Sequence, residues 1–129
     1  MIKINSILKV SDNSNIKTVK CIQILGGYKK KFALVGDLIV VTVKEIRLNR
    51  LKKSFKIKKK DIFKALVIRT KNFIDKRSNI KICFKCNCVI LLDKLKNPIG
   101  TRIFGYLPRI LKLNFSKCSS IGSKKLKKI

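Results

Sequence analysis

What most limits the fold of this chain is a series of short β-branched runs, each fenced by residues that turn the backbone. "LIVVTVKEI" follows Gly36-Asp37, "KTVKCIQIL" stops at Gly26-Gly27, "DIFKALVIRT" starts at Asp61, and "CVILLD" closes the series. Val, Ile and Thr lose rotamer freedom in a helix and fit a pleated surface. The opening "IKINSILKV" alternates apolar and polar residues at Ile2, Ile4 and again near its end, which reads as a further strand, and "DNSN" at 12–15 is a turn cluster. Five or six short strands with turn signals about every ten residues point to a small barrel or sandwich. A five-stranded barrel has no exposed edge, which suits a lone domain of this size.

Charge limits the partners. The 129 residues carry 33 Lys and Arg against six Asp and Glu, a formal net charge of +27. At 46% apolar residues a core is available, so disorder does not explain the charge. A polyanion does. No apolar run reaches the 18 residues of a spanning helix, which favours nucleic acid over membrane. A cationic membrane-active protein would need a sustained amphipathic helix, which only the short 107–127 region approaches. A free-standing RNA-binding barrel is the other rival, and salt-washed fractionation separates it from a protein built into a larger ribonucleoprotein particle.

Catalytic chemistry is not expected. The chain has no histidine, so no imidazole base is available to a nucleophile. Of its six carboxylates, Asp12, Asp37 and Asp61 sit at turns, and Gly26-Gly27 lacks the spacing of a phosphate loop. No cofactor is expected. Cys83, Cys86 and Cys88 in "CFKCNC" are weak metal candidates, because a structural zinc site takes four ligands and usually two paired knuckles. Small core residues explain them more simply.

Two basic excursions interrupt the strands. "KEIRLNRLKKSFKIKKK" at 44–60 has nine basic residues and one acid, and reads as a ribbon lying along phosphates with Ile46, Leu48, Leu51 and Phe55 as anchors. "RTKNFIDKRSN" at 69–79 is the second. After residue 97 the texture changes. In "PIGTRIFG", Pro98 and Gly100 turn the chain out of the last barrel strand and Gly105 turns it again. Ile99, Ile103 and Phe104 pin the segment, leaving Thr101 and Arg102 at an outer surface. Arg102 is either a fork holding backbone carbonyls or a contact for RNA or a partner. "LPRILKL" from Leu107 suits one or two helical turns, Asn114 opens a second short helix, and "SKKLKKI" is a basic tail expected to order only against RNA or a neighbour.

Several of these stretches together resemble one family. "VSDNSNIKTVKCIQILGG" is similar to V-x-D-N-S followed by C-I-x-V-L-G-G. "VGDLIVVTVKE" is similar to V-G-D-x-I-x-V-x-V-K-E, and "KIKKKDIFKALVIRTK" to V-K-K-G-D-V-x-K-A-V-V-V-R-T-K. "FKCNCVILLD" fits F-x-x-N-x-x-V-L-L-N, and "NPIGTRIFGYLPRIL" fits P-I-G-T-R-I-F-G-x-x-x-R-x-L. These run in family order from about residue 8 to 111 and are the motifs of bacterial-type large-subunit ribosomal protein fourteen. Lys60 stands where that family has glycine, "RLNRLKKSF" is richer in lysine, and the tail departs beyond about Ser116.

The resemblance implies a mainly β fold: a five-stranded β-barrel with a projecting basic β-ribbon and short C-terminal helices. The expected organisation is one domain over 1–129. The barrel takes 1–97 with the ribbon at about 44–60, the corner and helices 98–122, and the tail 123–129. It also implies a structural constituent of the large ribosomal subunit that binds large-subunit rRNA and reaches small-subunit rRNA in an intersubunit bridge. Ribosomal proteins three and nineteen are the implied neighbours, and a ribosome-silencing factor a further partner. The expected rRNA contacts are Lys44, Arg47, Arg50, Lys52, Lys53 and Lys56 in the ribbon, then Arg69, Lys71, Lys76 and Arg77. Asn13, Ser14, Thr101, Arg102 and Arg109 come from the motif-bearing turns.

The start, "MIKINSILKV", does not read as a secretory signal or an import presequence, so none is expected. Twenty Ile, 27 Lys and nine Asn beside two Ala are what an AT-rich genome encodes. Both features favour an organelle-encoded protein of a protist mitochondrion, with a relict plastid or an AT-rich bacterial cytoplasm as alternatives.

Overall fold

A computed structural model describes residues 1–47, 57–75 and 79–125. Five strands close a barrel in the order β1 (Ile7–Val10), β2 (Ile16–Ile24), β3 (Leu38–Ile46), β4 (Ile62–Arg69) and, after a two-stranded excursion, β7 (Cys88–Leu92). Neighbours are antiparallel except at the seam, where β7 returns parallel to β1 with Lys9 opposite Cys88 and Val10 opposite Val89. β5 (Phe73–Asp75), inside the second basic excursion, pairs antiparallel with β6 (Ile80–Ile82) just beyond it. β8 (Ile103–Leu107), helices α1 (Leu111–Asn114) and α2 (Ser116–Ile121), and β9 (Gly122–Lys125) make an outer layer.

Alternation decides which face of each strand turns inward. Leu8 and Val10, Val19 and Cys21, Ile39, Val41 and Val43, Ala65 and Val67, and Val89 and Leu91 all point into the barrel and are buried. On β4 and β7 the intervening residues are buried too. Leu66, Ile68, Ile90 and Leu92 join Ile103, Leu107, Leu111 and Cys118 in a second core under the C-terminal layer. Each such side chain contributes roughly 1.5–3 kcal/mol.

The expected β-barrel and short helices are present; the ribbon falls mostly outside the described residues. Its base is seen, where Ile46 and Ile57 pack against the inner core and the Arg47 N–H donates to the Asn15 carbonyl at 2.7 Å.

Four readings need correction. The opening run is not one strand. Asn5 takes φ 70°, so Ile2 pairs alone with Ala33 and β1 begins at Ile7; Asn tolerates this left-handed conformation. The "PIGTRIFG" corner is a turn only up to Arg102 and then becomes β8. The tail is ordered at its start, since Gly122–Lys125 pairs parallel to β8. Asn114 does not open the second helix; Phe115 holds that position without a side-chain cap.

Candidate nucleic-acid interface

The turn after β1 is built around a buried carboxylate. Asp12 Oδ1 accepts the Ser14 N–H at 3.1 Å and also the Ser14 hydroxyl, while Oδ2 accepts the Leu91 N–H of β7 at 3.1 Å. Ser14 is therefore fully buried: the fold removes this expected contact from the surface and makes it part of the turn. Asn13, beside it, faces outward and clamps the segment before β8. Its Nδ2 donates to Thr101 Oγ1 at 2.7 Å, and its Oδ1 accepts the N–H groups of Thr101 (2.8 Å) and Arg102 (3.3 Å). Gly100 permits this approach, because a Cβ there would lie 2.8 Å from Asn13 Oδ1 and 2.9 Å from Asp12 Cβ.

The clamp sets Thr101 and Arg102 at the surface. The Arg102 guanidinium lies over the Phe104 ring, 5.6 Å from its centroid, an arrangement favoured by the ring quadrupole. Phe104 itself is exposed.

Arg69, at the end of β4, reaches the same place from the other side. Its Nη2 donates to Ser11 Oγ and to the Phe104 carbonyl at 3.1 Å, while its Nε is buried with no partner among the described residues. A Cβ at position 105 would overlap this guanidinium, and Gly105 also holds φ +83°, so glycine serves there for space and for backbone.

These elements enclose a concavity of about 510 Å³ on the outer wall, lined by Lys9, Lys17, Arg47, Arg69, Ser11, Thr18, Cys86, Cys88 and Phe104 with Val10. Pairing explains the convergence. Thr18 lies opposite Lys9, Lys9 opposite Cys88, and Cys88 opposite Arg69, so one lateral row crosses β2, β1, β7 and β4. Among the described residues Glu45 offsets the charge, at 3.4 Å from Lys17 with both side chains more than half exposed. Four cations around one recess beside an aromatic ring suit a phosphate with a base stacked nearby. Burial pushes the Cys88 thiol up, against the pull of the Ser11 hydroxyl and Arg69.

The expected contacts thus separate. Arg47 and Arg69 line the concavity, and Asn13, Thr101 and Arg102 form the adjoining clamp. Lys44 is exposed on β3, and Arg109 is exposed on the turn before α1. Lys71 is exposed, its backbone N–H on Asn87 Oδ1 at 2.9 Å. Arg50, Lys52, Lys53, Lys56, Lys76 and Arg77 lie outside the described residues. Sequence reasoning missed Lys9 and Lys17. Their places between buried Leu8, Val10 and Ile16 turn them outward, but only the closed seam says which outward lysines meet. Among the described residues no three Cys, Asp or Glu side chains gather to hold a metal. A family model described as Ribosomal protein L14p/L23e matches residues 1–126 of the chain.

Proposed function

The chain belongs to the ribosomal protein L14p/L23e family, a structural family of the large ribosomal subunit, and from that premise we propose that it binds large-subunit rRNA through the cationic outer wall and contacts small-subunit rRNA across the subunit interface. The observation that carries this reading is the meeting of Lys9, Lys17, Arg47 and Arg69 around one concavity beside Phe104. The lysines and arginines neutralise phosphates and the barrel fixes their register; no turnover is involved. The ribbon from Lys44 to Lys56, with Lys71, Lys76, Arg77, Arg102 and Arg109, extends the same footprint.

Protein neighbours fit elsewhere on the barrel. Ile7, Lys20, Thr42 and Ile62 stand in one row across β1 to β4, with Ile7 and Ile62 exposed. Such a mixed row suits the ribosomal proteins three and nineteen, or a silencing factor that blocks subunit joining. The AT-rich residue usage supports a mitochondrial ribosome as the site of action.

Charge removal across 44–56 is expected to leave the barrel folded and to cut incorporation into the large subunit, measured on salt-washed gradients. Unchanged incorporation sinks the ribbon assignment. Replacing Arg47 by Gln in a wall otherwise intact is expected to lower the salt slope of rRNA binding by about 1.

A further inference from the structure

One pair of side chains at the concavity has a chemistry that phosphate binding does not use. Cys86 and Cys88 bring their Sγ atoms to 3.3 Å, and both line the recess. The turn that presents them is fixed on both sides of Asn87. The Asn87 carbonyl accepts the Lys9 N–H at 3.1 Å, and its Oδ1 accepts the Lys71 N–H at 2.9 Å. Cys88 is buried at the head of β7, while Cys86 is half-buried. Cys21 and Cys118 are buried in the inner and outer cores, and exposed Cys83 does not complete a cluster of three.

We propose that Cys86 and Cys88 are a reversible dithiol–disulfide pair, oxidised in place by a small disulfide of the glutathione class. A disulfide sets its sulfurs about 2.05 Å apart, so from 3.3 Å the two sulfurs have only a short approach left to make.

The step balances as two exchanges. Cys86, the more accessible thiol, loses its proton, and its thiolate attacks one sulfur of glutathione disulfide. The S–S bond of the oxidant breaks, one glutathione thiolate leaves, and a mixed disulfide remains on Cys86. Cys88 then loses its proton and attacks the Cys86 sulfur, expelling the second glutathione. Two electrons pass to the oxidant, and the two protons end on the two glutathione thiols. Burial holds the Cys88 thiol up, which assigns it the second attack, where proximity replaces thiolate abundance. Ser11 and Arg69 both pull toward the Cys88 thiolate, easing its formation for that attack. The pairing rests on thiol geometry and stands independently of the RNA reading.

The test uses the full chain in glutathione buffers of graded composition, quenched with acid, alkylated, digested with trypsin and weighed. Cleavage after Lys85 and Lys94 releases residues 86–94, which hold both thiols and no other cysteine. The expected result is a peptide two hydrogens lighter than the dithiol form. Its oxidised-to-reduced ratio should rise tenfold for each tenfold rise in glutathione disulfide over the square of glutathione. Cys88→Ser should trap glutathione on Cys86, and Cys86→Ser should leave Cys88 unmodified. If Cys88→Ser does not fold, the wild-type mass and Cys86→Ser still decide. A peptide that stays doubly alkylated, a glutathione adduct that persists on wild-type Cys86, or a link to Cys83 or a second chain overturns the proposal.

Discussion

β3 and β7 are strands of one barrel and differ in what lies behind them. In β3 the inward Ile39, Val41 and Val43 are buried, while Leu38, Val40 and Thr42 on the other face are only half covered. In β7 all five residues are buried, because the C-terminal layer covers the face turned away from the barrel. The sequences carry the difference: "LIVVTVKEI" admits Thr and ends in charge, whereas "CVILL" is apolar throughout. A continuous apolar run marks a strand packed on both faces, here one with an antiparallel neighbour in β4 and a parallel one in β1. The open wall is free to carry charge, and the covered wall gives rigidity to the edge where the cations gather.

Cavity mutations test the contrast most strongly. Ile90→Ala in the outer core is expected to cost about 2–5 kcal/mol, while Thr42→Ala on β3 stays within about 0.5 kcal/mol. Urea midpoints followed by circular dichroism measure both, and equal costs would erase the distinction between the walls. The carboxylates come next. Asp12→Ala removes the acceptor of Ser14 and Leu91 and should cost about 3 kcal/mol. Asp61→Ala removes the acceptor of one exposed Lys58 N–H and should cost about 1 kcal/mol. The smallest pair concerns backbone. Gly105→Ala meets both φ +83° and the Arg69 guanidinium and is expected to cost about 2 kcal/mol. Lys60 holds φ 70° where the motif has glycine, so Lys60→Gly should raise stability by up to about 1 kcal/mol. Thermal unfolding of the two variants should shift in opposite directions.

The barrel strands were legible because local signals agree there. Gly36-Asp37 and the β-branched run after it fix β3, and Asp61 marks the turn into β4. The opening strand was misread because alternation continues across Asn5 while the backbone does not. β8 and β9 were illegible for another reason. "IFGYL" contains a glycine at positive φ and leaves Phe104 and Tyr106 exposed, and "GSKK" has no strand propensity of its own; each forms against what the barrel already offers. The concavity was half legible. Arg47, Arg69 and the "PIGTRIFG" motif announced themselves, but Lys9 and Lys17 become neighbours of Arg69 only through β1–β7 pairing, which no local pattern encodes.

That seam has a kinetic consequence. β1 through β4 are successive antiparallel neighbours, whereas the Leu91-to-Asp12 bond beside the β1–β7 closure joins positions 79 apart. Loop-closure entropy places such a contact late in folding, after the meander has formed. The cationic recess straddles this closure, with Lys9 on one side and Cys88 and Arg69 on the other. A chain whose barrel is still open cannot assemble its cationic wall, so the recess itself reports that folding is complete.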